Sequence, residues 1–171
     1  ILRADDIDKL QARRTARFAG AEAVVRPILD DVRRSGDRAL LKYARKFDAF
    51  GGKSVRVESK TLAEACGKLT PEFRDAIDVA AVNIRRFAEM QLPAESSEEL
   101  DPGLRLGQIV RPLETVAAYI PAGRYPLPST LMMTVIPAQV AGVPRICVAC
   151  PRAVSEIFGT ARILGVADIF Q

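Results

Sequence analysis

Residues 116–170 alternate between short apolar runs and longer helical patterns, and this alternation restricts the fold more than any other feature of the chain. Residues 116–120, 145–150 and 167–170 are apolar runs of strand length. Between the first two, residues 131–141 are apolar enough to be buried on most sides. Pro137 is expected to kink that helix or confine its regular part, and Gly142 and Pro144 to stop it. Between the last two, residues 153–164 carry Val154, Ile157, Phe158, Ala161 and Ile163, and Gly165 ends them. The order strand, helix, strand, helix, strand predicts parallel strands joined by right-handed crossovers. The fold class is therefore α/β, with a partial Rossmann-like unit whose ligand side is the carboxyl end of the strands.

The residues before about 104 are more charged and mainly helical. A short charged helix is expected over 4–14, anchored only by Ile7 and Leu10. A second, over 21–34, places Val25, Ile28, Leu29 and Val32 on one face, with Pro27 tolerable in its first turn. Ser35-Gly36 ends it. Asp37 caps the next, whose face is Leu40, Leu41, Ala44 and Phe47. Residues 48–54 read as a turn and Val55-Arg56-Val57 as a short strand. Thr61-Leu62-Ala63-Glu64 fits a capping box opening a helix to Leu69. Thr70-Pro71 opens another, with Phe73, Ile77, Ala80, Ile84 and Phe87 as its apolar face. Its opposite face carries Arg74, Asp75, Asp78, Arg85, Arg86 and Glu89, which reads as solvated, with a partner surface as the alternative. Residues 94–101 read as an acidic loop and Asp101-Pro102-Gly103 as a turn. Residues 104–110 and 116–120 are candidates to pair with one another.

Chemistry is constrained by what is missing. The 171 residues contain no histidine, which excludes a His-ligated zinc site, a Ser-His-Asp triad and an imidazole base within this chain. A formal charge of +4 with scattered basic residues and 6% aromatics argues against nucleic acid as a partner. No run approaches the roughly 18 apolar residues of a membrane helix. Cys147-Val148-Ala149-Cys150 matches C-x-x-C, but no second pair accompanies it. An extended strand also turns residues three apart to opposite faces, so core packing is the expectation. Three cysteines without a pairing pattern fit a reducing, cytoplasmic setting.

The richest stretch is 109–130. An apolar strand is followed by a loop dense in Pro and Gly and then by Ser129-Thr130, expected to cap a helix starting near Leu131. That geometry favours an anion or nucleotide over the loop, although G-x-G-x-x-G is absent. Tyr119 reads either as a half-buried strand aromatic or as a ring that stacks on a nucleotide. Phe47 reads as a core residue at a helix end, and Arg124 as a phosphate contact or a solvated cation. Ser129 has no base to activate it and no nucleophile elbow around it.

Arg111-Pro112, Ala117-Ala118-Tyr119-Ile120-Pro121-Ala122-Gly123 and Pro128-Ser129-Thr130-Leu131-Met132-Met133 together resemble the signature loop of the histidinol dehydrogenase family. The flanking segments match as well, so the resemblance covers essentially the whole chain. Ala117 and Ala122 depart from it, standing where the family usually has Gly; at Ala122 the added Cβ disfavours a positive φ. The resemblance implies a zinc- and NAD-dependent oxidation of L-histidinol to L-histidine through the aldehyde. It implies NAD contacts at Tyr119, Pro121, Gly123 and, near the adenine, Phe47, with Ser129 facing the substrate. It also implies an intertwined homodimer using an N-terminal arm. The family's glutamate–histidine pair and zinc ligands lie downstream of this motif, so no catalytic residue and no metal ligand is expected here. The chain reads as the N-terminal part of such an enzyme, cut at both ends and inactive alone. The alternative is a non-catalytic nucleotide-binding or assembly module derived from it. The expected organisation is an arm over 1–18, a mainly helical segment over 19–115 and a partial NAD-binding unit over 116–171.

Overall fold

A computed structural model of the chain describes residues 4–121, 125–151 and 154–171, with side chains described from Gly20 onward. The chain divides into two compact units, Ile1–Ser54 and Val55–Gln171.

The first unit is a helical hairpin. Helix α1 spans Ala4–Ser35 and α2 spans Asp37–Asp48. One continuous helix therefore replaces the two expected over 4–14 and 21–34. It runs through Gly20, and Pro27 lies deep in its interior, where the ring removes the N–H that would bond the Ala23 carbonyl. Gly36, at φ 54°, makes the turn. The hairpin is tied by Asp31, which accepts from Lys42 Nζ at 2.9 Å and from the Tyr43 hydroxyl at 3.0 Å. The Lys42 hydrogen bond, then that of Tyr43, holds the Asp31 carboxyl below its ordinary range.

The second unit begins with an extended segment, 55–57, then α3 (Ser59–Gly67) and α4 (Pro71–Met90). Thr70 caps α4 by accepting from the Phe73 N–H at 3.2 Å, with Pro71 at the first helical position, as expected. Helix α3 instead starts before Thr61, with Glu58 at its cap position and no side-chain cap, so the capping box does not form. Phe87 is exposed, unlike Ile77. Ten residues separate them, which at 3.6 residues per turn rotates Phe87 about 80° off the buried face.

Strands β1 (Ser96–Asp101) and β2 (Leu104–Gln108) form an antiparallel hairpin across the expected turn. The acidic loop is therefore a strand, and β2 pairs with β1 instead of with residues 116–120 as anticipated. Gly107 permits this: a Cβ there would lie 2.2 Å from the Ser96 carbonyl oxygen.

Strands β3 (Thr115–Tyr119), β4 (Arg145–Ala149) and β5 (Asp168–Phe170) follow, in the order β3-β4-β5, all parallel. They are connected by α5 (Pro128–Val140) and α6 (Ser155–Ile163), as the alternating pattern requires. Residues 55–57 add an antiparallel edge: Val57 N–H donates to the Ile169 carbonyl and Gln171 N–H to that of Val55, each at 2.8 Å.

One face of this sheet, Ala118, Ile120, Val148, Cys150 and Ile169, meets Leu62 and Ala65 of α3, Leu131 and Val135 of α5, and Ile157, Phe158 and Ala161 of α6. The opposite side of α5, Met132 and Ile136, packs on Ile77 of α4. Helix α5 is thus buried on two sides, which explains its near-continuous apolar sequence, and Pro137 lies within it without ending it. Gly142, at φ 77°, follows its end. Cys150 is buried in the core, while Cys147 is half-buried on the other face; all three cysteines are free.

Candidate functional site

The parallel register sets both ends of the sheet. At the amino end, Asp168 accepts from Arg145 Nε at 2.9 Å and from Arg56 Nη2 at 2.5 Å. This carboxylate links β4, β5 and the 55–57 edge. The Arg145 hydrogen bond is the main reason that its carboxyl sits below the ordinary range.

The carboxyl end is where open parallel sheets accept ligands. Tyr119 is the last residue of β3 and 64% exposed, on the sheet face opposite the helices. Its register partner is Ala149 of β4, and the preceding same-face pair is Ala117 with Cys147. Parallel neighbours stand about 4.8 Å apart, so a methyl group beside the ring leaves one side of it clear. The next residue, Ile120, turns back into the core and donates its N–H to the Ala149 carbonyl at 2.8 Å. Pro121 then stands exposed at the rim.

Helix α5 begins with Pro128, and Leu127 occupies its cap position. Ser129 is therefore already helical and does not cap, nor does Thr130. Proline has taken the first helical position, and the Thr130 and Leu131 N–H groups reach the Leu127 carbonyl at 3.1 and 3.3 Å. The Ser129 side chain is exposed and makes no hydrogen bond to a described residue. In a strand–helix–strand crossover the amino terminus of α5 returns to the carboxyl edge of the sheet. Ser129, Tyr119 and Pro121 thus share that edge. Ala122, Gly123 and Arg124 lie outside the described residues. Phe47 belongs to the first unit, where it is exposed, stacks on Tyr43 at 6.1 Å and has Lys46 Nζ 5.2 Å from its ring centre.

Two groups were not apparent from local sequence. Ala149 emerges as the neighbour of Tyr119 only once register is known, and Asp168 as a three-segment link only once residues 55–57 are placed. Among the described residues, no group of three or more Cys, Asp or Glu side chains could hold a metal ion, so no step through zinc can be assigned to these residues. An exposed tyrosine at a strand end, a proline rim and a helix amino terminus do fit a dinucleotide: the ring offers a stacking surface and the helix end favours phosphate. No helix among the described residues is long and apolar enough to cross a membrane.

Comparison with known proteins gives concordant matches. The histidinol dehydrogenase family model matches residues 11–171. The chain is 46% identical over 140 residues to histidinol dehydrogenase of Methanosarcina barkeri, covering 80% of this chain and 32% of that relative. It is 33% identical over 178 residues to that of Campylobacter jejuni, covering all of this chain and 42% of the relative. The crystal structure of histidinol dehydrogenase from Elizabethkingia anophelis superimposes with a TM-score of 0.82 at 31% identity, over 88% of this chain and 36% of that one. The chain therefore spans from just under a third to just over two fifths of the length of these relatives.

Proposed function

Because the chain belongs to the histidinol dehydrogenase family, we propose that it supplies the NAD-binding edge and one wall of the substrate cleft of an enzyme that oxidises L-histidinol through the aldehyde to L-histidine. The observation that carries this reading is Tyr119, exposed at the carboxyl end of a parallel strand beside the start of α5. Bound NAD supplies the hydride acceptor. Tyr119 and Pro121 form the surface against which the nucleotide lies, and Gly123 follows them in sequence; Phe47, in the first unit, is a separate proposed contact to the nucleotide. Ser129, with its hydroxyl uncommitted to capping, faces the alcohol or its imidazole-bearing chain as a hydrogen-bonding group. Zinc, and the groups that move protons, belong to segments outside these 171 residues, since the chain has no histidine. The chain alone is accordingly inactive as a dehydrogenase, and the active form is a cytoplasmic homodimer.

A second reading, a non-catalytic nucleotide-binding module, draws support from β5. That strand has β4 on one edge and residues 55–57 on the other, so its hydrogen bonding is met within this chain. Titration of NAD into the 171-residue chain, with histidinol turnover measured in parallel, tests both. Saturable NAD binding without turnover, weakened about tenfold or more by Tyr119→Ala, supports the NAD edge, the size expected from losing one aromatic contact of roughly 1.4 kcal/mol or above. Binding indifferent to Tyr119→Ala sinks the assignment of the site. Turnover by the chain alone sinks its inactivity.

A further inference from the structure

On α4, Asp78, Val82, Arg85 and Glu89 follow one another at steps of four, three and four residues, so their side chains stand in a row along one side of the helix. The row borders a groove of about 520 Å³ that is also lined by Gln139, near the end of α5, and by Leu164, just past the end of α6. That volume lies within the range of small-molecule sites, roughly 300–1,000 Å³. Helices α5 and α6 run back against the parallel strands, so their carboxyl ends lie at the amino edge of the sheet. The groove is therefore at the opposite edge from Tyr119.

Arg85 is half-buried, and its charge has no counter-ion among the described residues. Its Nη2 donates to Gln139 Oε1 at 2.8 Å, and Gln139 Nε2 donates to the Leu164 carbonyl at 2.7 Å. A neutral amide anchored to a backbone carbonyl thus fixes the guanidinium at the groove, and its other N–H groups meet no acceptor among the described residues. Glu89 stands one turn further on and does not pair with it, a cation four residues before an acid being the less favourable order on a helix. Asp78 is likewise unpaired among the described residues.

Along the row the groove offers an acid, an apolar step, a fixed guanidinium and a second acid. A ligand complementary to that order carries a cation, a short apolar stem, a carboxylate and a second cation beside it. Asp78 and Arg85 are seven residues apart, about 10 Å along the axis. Long side chains lean towards the helix amino terminus, which brings the guanidinium closer to Asp78 and leaves a gap that a short alkyl chain spans. The carboxyl ends of α5 and α6 open on the same groove and favour positive charge there. We infer that the groove binds a free basic α-amino acid. Its carboxylate lies on Arg85, its α-ammonium on Glu89, its stem over Val82 and Leu164, and its side-chain cation at Asp78. The site is separate from the nucleotide edge and does not depend on that reading. Its acids are exposed, so binding is weak, with a dissociation constant of about 1 mM.

Titration of L-lysine into the isotope-labelled 171-residue chain, followed by amide NMR shifts, tests it. Saturable shifts are expected at residues 78–89, 139 and 163–164. Three analogues each lack one charge: norleucine the side-chain cation, ε-aminocaproate the α-ammonium and cadaverine the carboxylate. Each should bind about fivefold or more weakly than L-lysine. Arg85→Met, which keeps an apolar stem, should weaken L-lysine by a similar factor without weakening cadaverine. Asp78→Asn should make L-lysine and norleucine bind alike. The analogue series needs no variant, so it decides the matter even where a substitution perturbs folding. No saturable shift up to about 20 mM L-lysine, shifts centred elsewhere, or norleucine binding as tightly as L-lysine overturns the inference. So does an Arg85→Met chain that loses L-lysine and cadaverine equally.

Discussion

Tyr119 and Ala149 are register partners on the same face of adjacent parallel strands, so the ring at the candidate site stands beside a single methyl group. If that cleared side is where a nucleotide lies, filling it must compete with binding. Ala149→Leu is expected to weaken NAD binding about tenfold with little change in melting temperature, because this face is not the packed one. Isothermal titration checks the first part and a thermal melt the second. An unchanged dissociation constant would mean that the nucleotide does not use this side of the ring.

Asp168 makes the stability of the second unit sensitive to acid. Its carboxyl is held below the ordinary carboxylate range, mainly by the hydrogen bond from Arg145. A depressed native pKa contributes stability that is complete above the unfolded value and is lost as pH falls through the native one. The midpoint of thermal unfolding should therefore hold near neutrality and fall below about pH 4. In Asp168→Asn the melting temperature should start about 2–4 °C lower, since the arginine partners are largely exposed, and decline less on acidification. Parallel acid profiles for the two proteins would show the link to be inert.

At Gly159, α6 lies close against the end of α3. A Cβ there would lie 2.6 Å from Leu69 Cδ1 and 3.2 Å from Cys66 Cα. Alanine would gain up to about 1 kcal/mol of helix propensity. It would lose more through overpacking, typically 1–3 kcal/mol. A net loss of about 1 kcal/mol is expected for Gly159→Ala by urea unfolding, and a larger one for Gly159→Val. A stabilised alanine variant would show that Leu69 moves aside freely.

Thr70→Ala should cost about 1 kcal/mol, because the Phe73 N–H loses its acceptor. Thr70→Ser keeps the oxygen and should recover most of that loss in the same urea titration. Equal destabilisation by both would point to the methyl group instead of the cap.

The parts legible in sequence were those with a strong local cause. Buried parallel strands read as apolar runs, so β3, β4 and β5 stood out. Thr70-Pro71 announced a helix start. Ser96 to Asp101 has little intrinsic strand preference, and only pairing with β2, across Gly107, makes it a strand. Pro27 reads as a first-turn residue of a helix over 21–34, yet α1 carries it deep in its interior. At the candidate site, Tyr119 was visible from its motif. Ala149 was not, because register is a relation between distant segments, and the cap expected at Ser129 was displaced by Pro128.

The edge strand at residues 55–57 has a consequence for how the protein is made. Arg56 and Asp168 are 112 positions apart. At about 5–20 residues per second, the first of these segments emerges from the ribosome several seconds or more before its partner exists. Until then α3 and α4 can form, but the sheet that α3 helps to cover has not been assembled. Closing so long a loop comes late and at an entropic cost. During synthesis the unit therefore passes through an interval in which an unpaired strand and the apolar faces of two helices await residues 168–171, and chaperones could act there.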